Sequence, residues 1–151
     1  MLKELIAKNR VAFHDSFDTW EDAVRGCCGT LIADGSITEE YAEAIIENVR
    51  QYGPYIVITE DLAIPHTKVN ARGVNSNGIN FNKVRRQVEF EPGNPEKNAT
   101  LIFTLAANDL DEHYENMEKL SEMLLNPEVL EALKKSDSIE DVKRISKEFN
   151  I

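Results

Sequence analysis

The apolar run Leu101-Ile-Phe-Thr-Leu-Ala-Ala107 is too short to cross a bilayer and lacks the polar alternation of a strand with one wet face. It reads as a central strand. Within a few residues it leads into a helical stripe in which His113, Met117, Leu120 and Leu124 recur at i, i+4, i+7 and i+11, with Asp109 or Asp111 as the cap. A buried strand that feeds an amphipathic helix belongs to an α/β arrangement, and the upstream chain repeats the theme. Trp20, Ala23, Val24, Cys27 and Leu31 form one helical face after Thr19, ending at Gly35. Tyr41, Ala44, Ile45 and Asn48 form another after Thr38, closed by Gly53-Pro54.

The β-branched run Tyr55-Ile-Val-Ile58 then suits a strand buried on both faces. Shorter strand patterns fall at Val11–Phe17, Ile79–Phe81 and Val84–Phe90. Helical patterns open the chain at 2–9 and close it after Asn126-Pro127 and from Ser138. This order predicts a single α/β domain over residues 1–151, a mixed β-sheet of about five strands flanked by helices on both faces.

Composition narrows the function. With 17 basic against 27 acidic residues, a net charge of −10, the chain lacks the basic patch that nucleic acid requires, so any anionic partner must be met by local donors. Cys27 and Cys28 are adjacent inside a helical pattern, which fits small buried fillers rather than a disulfide, redox or metal motif. No apolar stretch is long enough for a membrane helix, and the first residues do not read as a signal peptide, so a cytoplasmic location is expected.

Two histidines stand out by position. Pro65 pushes Ile64 into the extended region and stiffens the segment that delivers His66. His113 begins the helix that follows the central strand, the end of an open α/β sheet where ligands bind. Each has an ordinary reading: His66 as a polar residue at a strand end, His113 as a satisfied residue on an apolar stripe. His14 has no second ligand or base nearby and reads as a surface histidine. The Gly- and Asn-rich segment after His66 reads as a loop that covers it.

Taken together, Ala63-Ile-Pro-His66, Leu105-Ala-Ala-Asn-Asp109 and His113 opening an amphipathic helix resemble the A component of sugar phosphotransferase system enzyme II, of the mannitol/fructose type. Glu47-Asn-Val-Arg-Gln-Tyr-Gly-Pro-Tyr-Ile-Val-Ile58 looks like its ascorbate-type branch. The resemblance implies a phosphoryl carrier. His66 would accept the group from the histidine-containing phosphocarrier protein and donate it to a cysteine of the B component, which serves the membrane permease C component. It also implies that His113 stabilises the phosphoryl group and that Arg50, Lys68 and Thr67 contact phosphate. Thr67-Lys68 departs from the Ala-Arg of many ascorbate-like sequences.

The residue types suit that chemistry without a metal or cofactor. Imidazole has an ordinary pKa of ~6.5 and is a nucleophile at neutral pH, and its phosphoramidate gives the group up again. A regulatory relative of the nitrogen type would carry the same histidine. A metal hydrolase is disfavoured, because His66 and His113 lie in no spaced ligand motif.

Overall fold

The computed structural model describes all 151 residues. The helices are α1 (Leu2–Ala7), α2 (Trp20–Cys27), α3 (Gly29–Ala33), α4 (Glu39–Tyr52), α5 (Leu110–Leu124), α6 (Pro127–Lys135) and α7 (Ile139–Phe149). The strands are β1 (Val11–His14), β2 (Val57–Thr59), β3 (Asp61–Ala63), β4 (Gly78–Ile79), β5 (Phe81–Glu89), β6 (Asn98–Ile102) and β7 (Leu105–Ala106). Five of the strands form one sheet in the order β1-β5-β6-β3-β2, and β4 pairs with β7 in a separate two-stranded piece. The sheet is mixed: β1 is parallel to β5 and β3 to β6, while β5–β6 and β2–β3 are antiparallel.

Alternation along the strands divides the core in two. Ala63, Val84 and Ile102 point into a cluster with Ala23, Val24, Cys27, Tyr41, Ile45 and Val49 of α2 and α4. Leu62, Phe81, Leu101 and Phe103 point the other way, onto Leu2, Leu5, Leu120, Leu133, Val142 and Ile145 of α1, α5, α6 and α7. Consecutive residues such as Leu101 and Ile102 thus serve opposite layers, which is why Leu101-Ile-Phe103 is apolar at both parities. The expected mixed five-stranded sheet with helices on both faces is what forms. No helix is long and apolar enough to cross a membrane.

Four elements differ from the sequence reading. Tyr55–Ile58 is not a strand buried on both faces: only Val57–Thr59 is extended, it lies at the sheet edge, and Ile58 is 53% exposed. The central run is interrupted between β6 and β7 at Phe103-Thr104, and the helix begun at Trp20 stops at Cys27 and restarts at Gly29. The two pieces expected over 79–90 join differently, with Phe81–Glu89 forming one nine-residue strand.

One carbonyl links two of these changes. The oxygen of Cys27, at the end of α2, accepts from Asn80 Nδ2 at 2.7 Å, Thr104 Oγ1 at 2.9 Å and Asn82 Nδ2 at 3.1 Å, all from buried residues. Asn80 Oδ1 in turn accepts from Thr104 N at 3.0 Å, so the side chain replaces a ladder bond where both β4–β5 and β6–β7 break. His14 joins the same network, with Nε2 donating 2.9 Å to Asn82 Oδ1 and its ring 5.1 Å from that of Phe17, so it is partly buried and engaged rather than a free surface residue. Truncating Asn80 would leave several buried polar groups unpaired. Asn80→Ala is expected to lower the unfolding free energy by about 2–3 kcal/mol in urea titration, and an unchanged midpoint would show the network to be dispensable.

Candidate active site

Strand β3 delivers His66. Its ladder with β6 continues past the last regular residue, since Phe103 N donates to Ala63 O at 3.0 Å and Leu105 N to Pro65 O at 3.1 Å. Pro65 therefore stays in register by its carbonyl although it has no N–H to offer. The strand itself starts from Asp61, held at φ 65° with its carboxylate accepting from Thr100 N at 2.8 Å and Thr100 Oγ1 at 2.7 Å. That anchor fixes the register from which His66 is counted.

The imidazole of His66 is oriented by a single strong contact. Its Nδ1 lies 2.6 Å from Ile64 O. A carbonyl only accepts, so Nδ1 carries the proton, and the remaining nitrogen, Nε2, keeps its lone pair. Tyr55 packs its ring edge-on at 5.4 Å and donates its hydroxyl to the carbonyl of His66. Backbone and ring are thus both held.

His66 and His113 line one cavity of about 140 Å³ together with Ile58, Ile64, Thr67, Val69, Leu105, Ala107 and Met117. His113 enters from the first turns of α5, capped as expected by Asp109, whose carboxylate accepts from Glu112 N at 2.9 Å. Its Nδ1 is buried without a hydrogen-bond partner. A buried lone pair without a donor is cheaper than a buried N–H without an acceptor, which favours the tautomer carrying its proton on Nε2. The two rings then complement each other: one keeps a lone pair on Nε2, the other an N–H.

Thr67 is positioned from α4. Its hydroxyl accepts from Asn48 Nδ2, and its N–H donates to Tyr41 Oη at 3.3 Å, while that hydroxyl donates to Leu105 O at 2.5 Å. Tyr41 and Asn48 share the helical face read from the sequence, but their link to Thr67 has no local signal. Gly73 seats the same loop on α4, because at φ +84° a Cβ there would lie 2.4 Å from Tyr41 N.

The two cations singled out with the site are not brought into the cavity. Arg50 does lie in the last turn of α4, but its guanidinium pairs with Glu21 at 3.2 Å and is 57% exposed. Lys68 is exposed and is not among the lining residues. The loop lines the cavity through Thr67 and Val69. Elsewhere, burial pushes both thiols up, Cys28 to about 12, so neither is a nucleophile at neutral pH. No group of three or more His, Cys, Asp or Glu side chains is disposed to hold a metal ion.

The sequence model of the family described as "Phosphoenolpyruvate-dependent sugar phosphotransferase system, EIIA 2" matches residues 4–148. The ascorbate-specific PTS system EIIA component of Escherichia coli strain K12 is 30% identical over 115 residues, covering 76% of this chain and 73% of that protein. Among solved structures, the mannitol-specific cryptic phosphotransferase enzyme IIA of Escherichia coli superimposes with a TM-score of 0.84 at 28% identity, covering 95% of this chain and 96% of that one. The fold is shared as well, at 23% identity and a TM-score of 0.74, with the mannitol enzyme IIA of Escherichia coli solved in complex with phosphorylated mannitol enzyme IIB; 90% of this chain and 92% of that chain are covered.

Proposed function

Because the chain belongs to the EIIA type 2 family of the phosphoenolpyruvate-dependent sugar phosphotransferase system, whose members carry phosphoryl groups, we propose that His66 Nε2 is the atom that carries the group here. The observation that supports this reading is the 2.6 Å contact between His66 Nδ1 and Ile64 O, which leaves only Nε2 nucleophilic.

In the accepting step, the Nε2 lone pair attacks the phosphorus of a phosphohistidine on the phosphocarrier protein. The P–N bond to the donor breaks, and its electron pair returns to the donor imidazole. His66 keeps its Nδ1 proton throughout, so the phosphorylated ring is positively charged, and the Ile64 carbonyl stabilises it. In the donating step, a thiolate of the B component attacks phosphorus, a P–S bond forms, and the pair returns to Nε2. Such a transfer asks mainly for alignment and for donors to the equatorial oxygens. His113 supplies one through its Nε2–H. Lys68, exposed and unpaired, is the cation free to swing in, whereas Arg50 must first leave Glu21.

Both partners must reach the same face of His66. Ile58 lines the cavity and is 53% exposed, Leu110 and Tyr114 on the helix that carries His113 are 52 and 64% exposed, and their neighbours along the chain include the exposed carboxylates of Glu60, Asp109, Asp111, Glu112 and Glu115. An apolar centre with an acidic rim fits partners that present a basic rim around their reactive residue. The relatives named for ascorbate and mannitol favour service to sugar or ascorbate uptake over the regulatory reading.

Amide shift mapping with each partner tests the shared face. The phosphocarrier protein and the B component are expected to give overlapping footprints centred on His66 and α5, to compete, and to bind several-fold more weakly as ionic strength rises from 50 to about 500 mM. Separate footprints would sink the shared-face mechanism.

A further inference from the structure

We infer that Asn77 is a positioning residue for phosphoryl transfer, setting the start of α5, and through it His113, against the loop that leaves His66. Asn77 is only 8% exposed, and its amide is fully directed at the α5 cap. Its Oδ1 accepts from Asn108 N at 2.6 Å and Asp109 N at 2.9 Å, and its Nδ2 donates to Asp109 O at 2.9 Å. That carbonyl also accepts the backbone N–H of His113 at 3.0 Å. Asn77 and the histidine therefore share one acceptor, with no residue between them.

The caps of α6 and α7 are made within their own first turns, by Asn126 onto Glu128 and Val129 and by Ser138 onto Asp141. Helix α5 has such a cap in Asp109 and a second, remote clamp in addition. The loop that supplies the clamp is itself tied to the same short segment, since Asn70 N donates to Ala107 O at 2.9 Å and Asn108 Nδ2 to Asn75 O at 2.8 Å. Residues 66–77 and 107–109 are thereby sewn together along their length. The consequence is that the segment leaving His66 and the helix start carrying His113 are tied together by polar contacts, although one histidine follows a strand and the other opens a helix. Transfer between aligned nucleophiles is sensitive to displacements of an ångström or less, so loosening this clamp should be felt as a rate.

The functional half of this inference rests on the carrier reading above, while the clamp itself can be read without it. Asn77→Ala, Asn77→Asp, His113→Ala and the double variant Asn77→Ala/His113→Ala would be given excess phosphorylated phosphocarrier protein and followed by rapid quench. Hydrogen exchange of the α5 amides would be measured alongside. Asn77→Ala is expected to speed exchange in the first turn of α5 and to slow acceptance about tenfold. Asn77→Asp keeps both bonds from the backbone N–H groups and should recover part of that loss. It also carries the test if the alanine variant does not fold. The double variant should be no slower than His113→Ala alone, because the clamp acts through that ring.

Unchanged exchange in both Asn77 variants would overturn the clamp. Wild-type transfer in Asn77→Ala, or losses that simply multiply in the double variant, would overturn the positioning role. Wild-type transfer in His113→Ala would be recognised from that single variant as failure of the His113 reading, and this inference would fall with it.

Discussion

His66→Ala is expected to abolish phosphoryl labelling altogether. Incubation with phosphoenolpyruvate, enzyme I and the phosphocarrier protein, followed by mass spectrometry at neutral pH, should show the added phosphoryl mass on the wild-type chain and none on the variant. The competing nucleophiles are disabled for separate reasons. His14 has its Nε2 engaged by Asn82 and its ring against Phe17. The tautomer favoured for His113, with the buried Nδ1 left unprotonated, carries its proton on Nε2 and leaves no accessible lone pair, and both thiols are buried and held protonated. The fold should survive, because the ring is partly exposed and its one direct bond is to the Ile64 carbonyl of the adjoining segment, a loss of about 1 kcal/mol. Label persisting on another side chain in the variant would overturn the assignment of His66.

His113→Ala should slow both acceptance and donation by about two orders of magnitude, the usual cost of removing one preorganised donor from a developing oxyanion, while His66 still becomes labelled on long incubation. His113→Gln should recover part of the rate, because its amide can offer an N–H to a phosphoryl oxygen. Single-turnover measurements separate the two steps. A wild-type rate in both directions would return His113 to the role of a half-buried residue on the apolar stripe of α5.

Much of this was legible because it is written in spacing. Thr19, Asp109 and Ser138 cap their helices with the local bonds their side chains favour, Pro127 sits at the start of α6, and the buried faces of α4, α5 and α6 follow the helical period. The apolar run at Leu101–Ala107 demanded cover on both faces, and the two core layers supply it. His66 after Ile64-Pro65 and His113 at the head of α5 were visible for the same reason: a strand end and a helix start can be counted along the chain.

What the chain does not announce is set by partners remote in sequence. The breaks at Cys27 and at Phe103-Thr104 arise where Asn80, Asn82 and Thr104 converge on one carbonyl, and no periodicity within either segment signals that meeting. Val57–Thr59 has the β-branched composition of an interior strand, yet its neighbours in the sheet number one, because strand order is decided by how helices and crossovers pack. Arg50 lies in the last turn of α4, but its guanidinium pairs with Glu21, 29 residues earlier, and does not line the cavity. Asn77 sits in a loop of glycines and asparagines with no local pattern to mark it. Local propensity fixes which residues become helix or strand and which face they bury, whereas the clamp that holds His113 opposite His66 exists only once residues 31 and 32 positions apart are brought within hydrogen-bonding distance.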